Sequence, residues 1–202
     1  MAPQRSVVAV TGMLAAVLAA AMPLGRTASA QSADTRARVG RSPWSRHVHA
    51  LDGPFDARSL LETALERSAT IRRLVATLDA SDLMVYVVVQ FDLKTGSGDL
   101  HLLPAVPGIR RVLIRIDASN DIPNRFKVLG HELQHAVEVA SAPDVNDTAG
   151  MLRLYRRIGT VTAGGFETDA AVHTGHVVYS EVFGRGEKNA AEPPRREREQ
   201  RK

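Results

Sequence analysis

The residues of this chain best suited to chemistry stand together as His131-Glu132-Leu133-Gln134-His135. On a helix, residues four apart are separated by only about 40° around the axis, so both imidazoles can address one metal ion. The glutamate between them then lies beside that ion, where its carboxylate can take a proton from an activated water. The chain has no cysteine, which rules out disulfide staples and thiolate chemistry and leaves imidazoles and carboxylates as the only strong metal ligands.

A tetrahedral catalytic site needs a third protein ligand and an open fourth position. Glu138 lies on the next turn of the same helix, beyond His135 and not across the ion from the pair, so its removal is expected to leave metal content unchanged. Glu167 is the preferred third ligand: it follows Gly164-Gly165, in a segment from Phe166 to Val182 expected to be helical and to pack back on the motif helix. His173, Asp144 and Asp147 are the alternatives. Against this stand two plainer readings. Glu167 would suit a helix amino terminus through the helix dipole, and the two histidines could be solvated side chains beside an ordinary carboxylate partner.

The motif needs a helix, and Ser119-Asn120-Asp121 followed by Pro123 supplies its start, with Ser141-Ala142-Pro143 as its stop. Counted at 100° per residue, Phe126, Leu129, Leu133, Val137 and Ala140 gather on one side, with His131 and His135 near the opposite side. One face is thus expected to be core and the other to line a cleft. Before it, apolar residues from Leu60 to Leu78 recur at helical spacing, predicting one amphipathic helix from Asp56 to about Leu78. Leu83 to Phe91 reads as a strand buried on both faces, Asp99 to Leu103 and Arg111 to Ile116 as two further strands. The glycine-rich and proline-bearing turns between them suggest a small, mainly antiparallel sheet. A shorter helix is expected from Thr148 to Ile158.

Residues 1–30 have the form of a cleavable signal peptide: Arg5, an apolar run from Val7 to Leu24, then Ala28-Ser29-Ala30. Export, to a periplasm or beyond the cell, is expected, with no stable membrane insertion after cleavage. Residues 31–50 read as a linker, a pro-segment or an arm that packs Trp44, and 184–202 as a disordered charged tail. Residues 51–183 form a single domain. The formal charge of +4 comes largely from the leader and the two basic flanks. No stacking aromatics accompany those charges, so nucleic-acid binding is not expected.

A helix, a small strand-rich sheet, an HExxH helix and a later glutamate, in that order, resemble the zincin metallopeptidases, and specifically the smallest members of the gluzincin branch, over about residues 50–183. The resemblance implies an α+β zincin-like fold and one zinc ion held by His131, His135 and Glu167. It further implies hydrolysis of a peptide or protein substrate by a zinc-activated water, with Glu132 as the base that later protonates the leaving amine. In the better-known gluzincins an aspartate four residues after the ligand glutamate supports a zinc histidine; this chain has Ala171 there and Asp169 two residues on. The glycine and third histidine of metzincins are replaced by Ala136, Val137 and Glu138. Oxyanion donors can be sought among Tyr155, His173, His176 and Tyr179, and a substrate strand can add to the sheet edge near Asp99 to Leu103. The rival class is an exported zinc-binding protein without hydrolytic activity.

Overall fold

Leu83-Met-Val-Tyr-Val-Val-Val-Gln90 is too apolar and too long a strand to lie at an edge, and it takes a neighbour on each side. The computed structural model describes residues 44–190 apart from 95, 105, 163 and 164, with side chains described as far as 184. The expected leader and the end of the expected tail lie outside those residues. In the sheet, β2 (Leu83–Gln90) pairs in parallel with β1 (Val48–Ala50) on one side and β4 (Arg110–Asp117) on the other. Only β3 (Gly98–Leu102) runs antiparallel, along β4, giving the order β1-β2-β4-β3.

The sheet is therefore mixed and not mainly antiparallel. Of the two turn-bearing connections only the one between β3 and β4 makes a hairpin; β4 passes between β2 and β3, and the end of the stretch 31–50, for which a linker, a pro-segment or a packing arm is expected, supplies β1. Trp44 is partly buried against the core, so this amino-terminal stretch belongs to the domain. The two faces of β2 are closed unequally: Leu83, Val85, Val87 and Val89 are buried, and on the other face Val88 is buried while Met84 and Tyr86 are only half so.

The single helix expected before β2 is two, α1 (Ala57–Arg67) and α2 (Ala69–Asp79), because Ser68 leaves the helical backbone and caps the second, its hydroxyl accepting from Ile71 N–H. α3 (Ile122–Ala140) carries the HExxH motif and starts as expected, with Asp121 as its cap and Pro123 in the first turn. Its other end is held from the sheet. Arg110 is 5% exposed and ion-paired to Asp82 at 2.6 Å; its guanidinium also donates to the carbonyls of Val139, Ala140 and Ala142 at 2.8–3.1 Å. A cation there satisfies orphan carbonyls and complements the negative end of the helix dipole.

After α4 (Thr148–Ile158), a short hairpin of β5 (Thr160–Thr162) and β6 (Gly165–Glu167) turns the chain back into α5 (Asp169–Ala190). α5 thus continues through 184–190, the first residues of the expected tail. It lies closely on α3 because Gly130 has no side chain: a Cβ there would stand 2.6 Å from Val178 Cγ2. No helix of the described residues is long and apolar enough to cross a membrane. The architecture is α+β, with α3 packed on β2, β4 and β3 and α5 packed in turn on α3.

Candidate metal centre

His131, Glu132 and His135 are brought together by the helix alone, but their face of α3 is not open. All three are buried, at 5%, 0% and 0% exposure, because α5 and the β5–β6 hairpin cover what the helical wheel left free. Glu167 joins them from β6, two residues before α5 begins, and not from within a helix as expected. A Gly-Gly breaker fits a hairpin as well as a helix start, and the extended backbone is what turns this carboxylate back toward α3.

The three ligand atoms form a small triangle. His131 Nε2 and His135 Nε2 are 3.1 Å apart, and Glu167 Oε1 is 3.0 Å from the first and 3.5 Å from the second. Ligand atoms about 2.0–2.1 Å from a tetrahedral ion sit about 3.3–3.4 Å from one another, so the triangle has the size of one face of such a site. Glu167 Oε1 is buried and makes no well-formed hydrogen bond despite both imidazoles within reach. His131, His135 and Glu167 can therefore hold a metal ion.

Burial and mutual charge shift His131, Glu132, His135 and Glu167. Burial lowers the pKa of His131. Burial would also lower His135, but Glu138 and Glu167 beside it outweigh that and raise it to about 9. For Glu167 burial favours the protonated form, and the two imidazoles reverse this and bring it to about 2. Glu132, with both oxygens buried and unpartnered, is pushed up to about 8 by desolvation. Three carboxylates thus converge on two imidazoles, with no lysine or arginine within the cluster.

Glu138 is not a ligand of the triangle, as expected, but it is not a bystander either. One of its oxygens takes the Nδ1 proton of His135 at 2.8 Å, and the other accepts from the Thr168 hydroxyl at 2.7 Å. Bonding Nδ1 leaves Nε2 as the free lone pair of His135, the arrangement in which a carboxylate orients a metal-binding imidazole. Position 171 is alanine, and the carboxylate that bonds His135 Nδ1 comes from the motif helix itself, three residues after His135. The spacing of three, one helical turn, makes Glu138 the ordinary carboxylate partner that the plainer reading of the two histidines expects, here beside a buried and not a solvated imidazole. Thr168 also caps α5 through Ala171 N–H, which ties the Glu167 strand to the same carboxylate.

The other candidates stay apart. Asp147 caps α4 through Gly150 N–H, and Asp144 is exposed in the turn before it. His173, His176 and Tyr179 are exposed on α5. Tyr155 is fully buried, its hydroxyl 3.3 Å from the His135 carbonyl and its ring edge-on to the His135 ring at 5.3 Å. It supports His135 from behind and does not face a substrate. One contact had no sequence signal. Gly98 opens β3 directly over the motif, where an added Cβ would stand 2.3 Å from Val128 Cγ1 and 3.3 Å from Glu132 Oε1. Compared with known proteins, the chain matches no family model, no curated protein and no solved structure, so its function has to be read from the geometry of these side chains.

Proposed function

We propose that this chain is an exported, zinc-dependent peptidase of zincin-like architecture that hydrolyses peptide bonds with an activated water. The observation that carries the reading is the pairing of a His-His-Glu triangle of ligand size with a buried glutamate whose two oxygens have no partner. A structural carboxylate would be bonded; Glu132 is held in reserve beside the triangle.

His131, His135 and Glu167 would hold the ion, and borderline-soft imidazole together with one carboxylate suits zinc. Zinc bound there supplies an acidified water and polarises the scissile carbonyl. Glu132 accepts the proton from the attacking water and delivers it to the departing amine nitrogen, so proton and leaving group balance within one residue. Glu138 and Tyr155 keep the His135 ring in place while this happens. β3 is an outer strand of the sheet, and Gly98, its first residue, lies against Glu132. An extended substrate adding to that edge would therefore run past the base, with backbone hydrogen bonds providing register. The leader pattern of residues 1–30 supports export, with a mature start at Gln31.

The test is metal analysis and hydrolysis of an internally quenched peptide library by the purified chain. Glu132→Gln is expected to keep zinc at the wild-type level and to lose at least about a hundredfold in turnover. Zinc-loaded wild type that cleaves nothing, at unchanged stoichiometry, would leave a metal-binding protein without hydrolytic activity.

A further inference from the structure

A cavity of about 360 Å³ lies at the opposite end of the α3–α5 pair from Glu167, enclosed by α1, the first turn of α3 and the last described turns of α5. None of its lining residues belongs to the metal cluster. Its apolar wall includes Phe55, Leu60, Phe126 and Phe183, with the Phe126 and Phe183 rings 5.5 Å apart and edge to face. Phe55 is itself edge-on to Phe91 at 4.7 Å, and Phe91 is 56% exposed. Phe126 belongs to the core and Phe55 and Phe183 pack against it, so the apolar wall is continuous with the interior.

The rim is cationic. Arg67 and Arg125 both line the cavity, and neither has a carboxylate partner among the described residues. Arg125 uses Nε and Nη2 on the carbonyls of Asn120 and Ala118, at 3.0 and 2.6 Å, and lies 5.9 Å over the Phe55 ring. Its Nη1 is left over, and Arg67 on the last turn of α1 is exposed. The one acid in the lining, Asp56, has an oxygen committed to Ser59 N–H as the cap of α1. An apolar hollow lined by two guanidinium groups that have no carboxylate partner among the described residues complements one kind of molecule.

We infer that this cavity binds an amphipathic monocarboxylate, a small organic acid whose hydrocarbon body fills the phenylalanine-lined hollow while its carboxylate meets Arg67 and Arg125. At about 30 Å³ per water-sized unit the cavity holds roughly a dozen heavy atoms, the size of a medium-chain fatty acid. The planar donor fork of arginine suits a carboxylate better than it suits a hydroxyl, and it repels an ammonium. The inference does not depend on the peptidase reading.

Decanoate, decanol and decylamine, each titrated into the purified full chain by calorimetry below their aggregation concentrations, test it. Decanoate is expected to saturate one site, with decanol weaker and decylamine absent. Arg67→Glu is expected to weaken decanoate about five- to tenfold. Thr63→Phe, which fills the hollow from α1, is expected to abolish binding. Thermal melting of both variants verifies the fold, and Arg67→Lys, which keeps the charge, provides a second series where Arg67→Glu unfolds. Decylamine or decanol binding as tightly as decanoate, several equivalent sites, no saturable binding, or full binding by a folded Thr63→Phe protein would each overturn the inference.

Discussion

Two clusters of buried carboxylate and imidazole meet near the start of β3, and they are built on opposite principles. On β3 and β4, Asp99 is fully buried and receives a two-point bond from Arg115 at 2.6 and 2.7 Å, with His101 3.0 Å away. A permanent cation closes that group electrically. Across α3, Glu132, Glu138 and Glu167 converge on His131 and His135, and no lysine or arginine pairs with them among the described residues. Protein interiors do not leave such groups uncompensated without cause. The first cluster is closed by its own arginine; the second leaves both Glu132 oxygens without a partner and groups three atoms that could hold a metal ion.

The difference can be broken most severely at Glu167. Glu167→Ala removes a ligand and an anion together, and zinc affinity, read by chelator competition, is expected to fall by well over about a hundredfold. Unchanged affinity would move the third ligand elsewhere. Glu138→Gln keeps the shape but weakens the grip on His135 Nδ1, and a loss of about 10- to 100-fold is expected in the same titration. That outcome replaces the sequence-based expectation that position 138 is neutral for metal.

The converse substitution belongs to the arginine-closed cluster. Asp99→Asn is expected to lower the urea-unfolding free energy of the metal-free protein by about 1–3 kcal/mol, since Arg115 loses its charged partner, while zinc affinity stays within a few-fold. An equal effect on both readouts would merge the two clusters into one network.

The smallest effect concerns a carboxylate outside both clusters. Glu181 of α5 bonds Ser68 and Thr70 at the start of α2, with Thr70 N–H at 3.0 Å. Burial alone would raise its pKa, but these donors outweigh it and hold it below the ordinary 4.5. A carboxyl lowered on folding adds stability above its unfolded pKa and loses it as pH falls through the folded one. The melting-temperature gap between wild type and Glu181→Gln, equivalent to under about 1 kcal/mol at neutral pH, is therefore expected to close progressively below about pH 4.5. A gap that persists into acid would mean that shape and not charge is at work there.

What the sequence carried and what it withheld divide along local and long-range lines. The HExxH helix, its cap at Asp121, its stop at Ser141 and the helix from Thr148 to Ile158 all follow from neighbours a few residues apart. Glu167 was reachable as a residue but not as a strand, because its extended backbone depends on pairing with Thr160 across the hairpin. Strand order was hidden for the same reason: that β4 slots between β2 and β3 depends on which faces the helices cover. The α1–α2 break at Ser68 was masked by an apolar periodicity that runs through it. The burial of the histidines was invisible to a helical wheel, which knows one helix and not the α5 and hairpin that cover it.

Arg110 binds the last turn of α3 to a strand at the centre of the sheet. A helix end normally frays, and fraying would begin only a few residues from His135. With its final carbonyls held from β4, the end of α3 can open only when the sheet opens, so motif helix and sheet form one cooperative unit for hydrogen exchange. The two histidines are then presented already ordered, and a metal ion arriving there spends little of its binding free energy on arranging them.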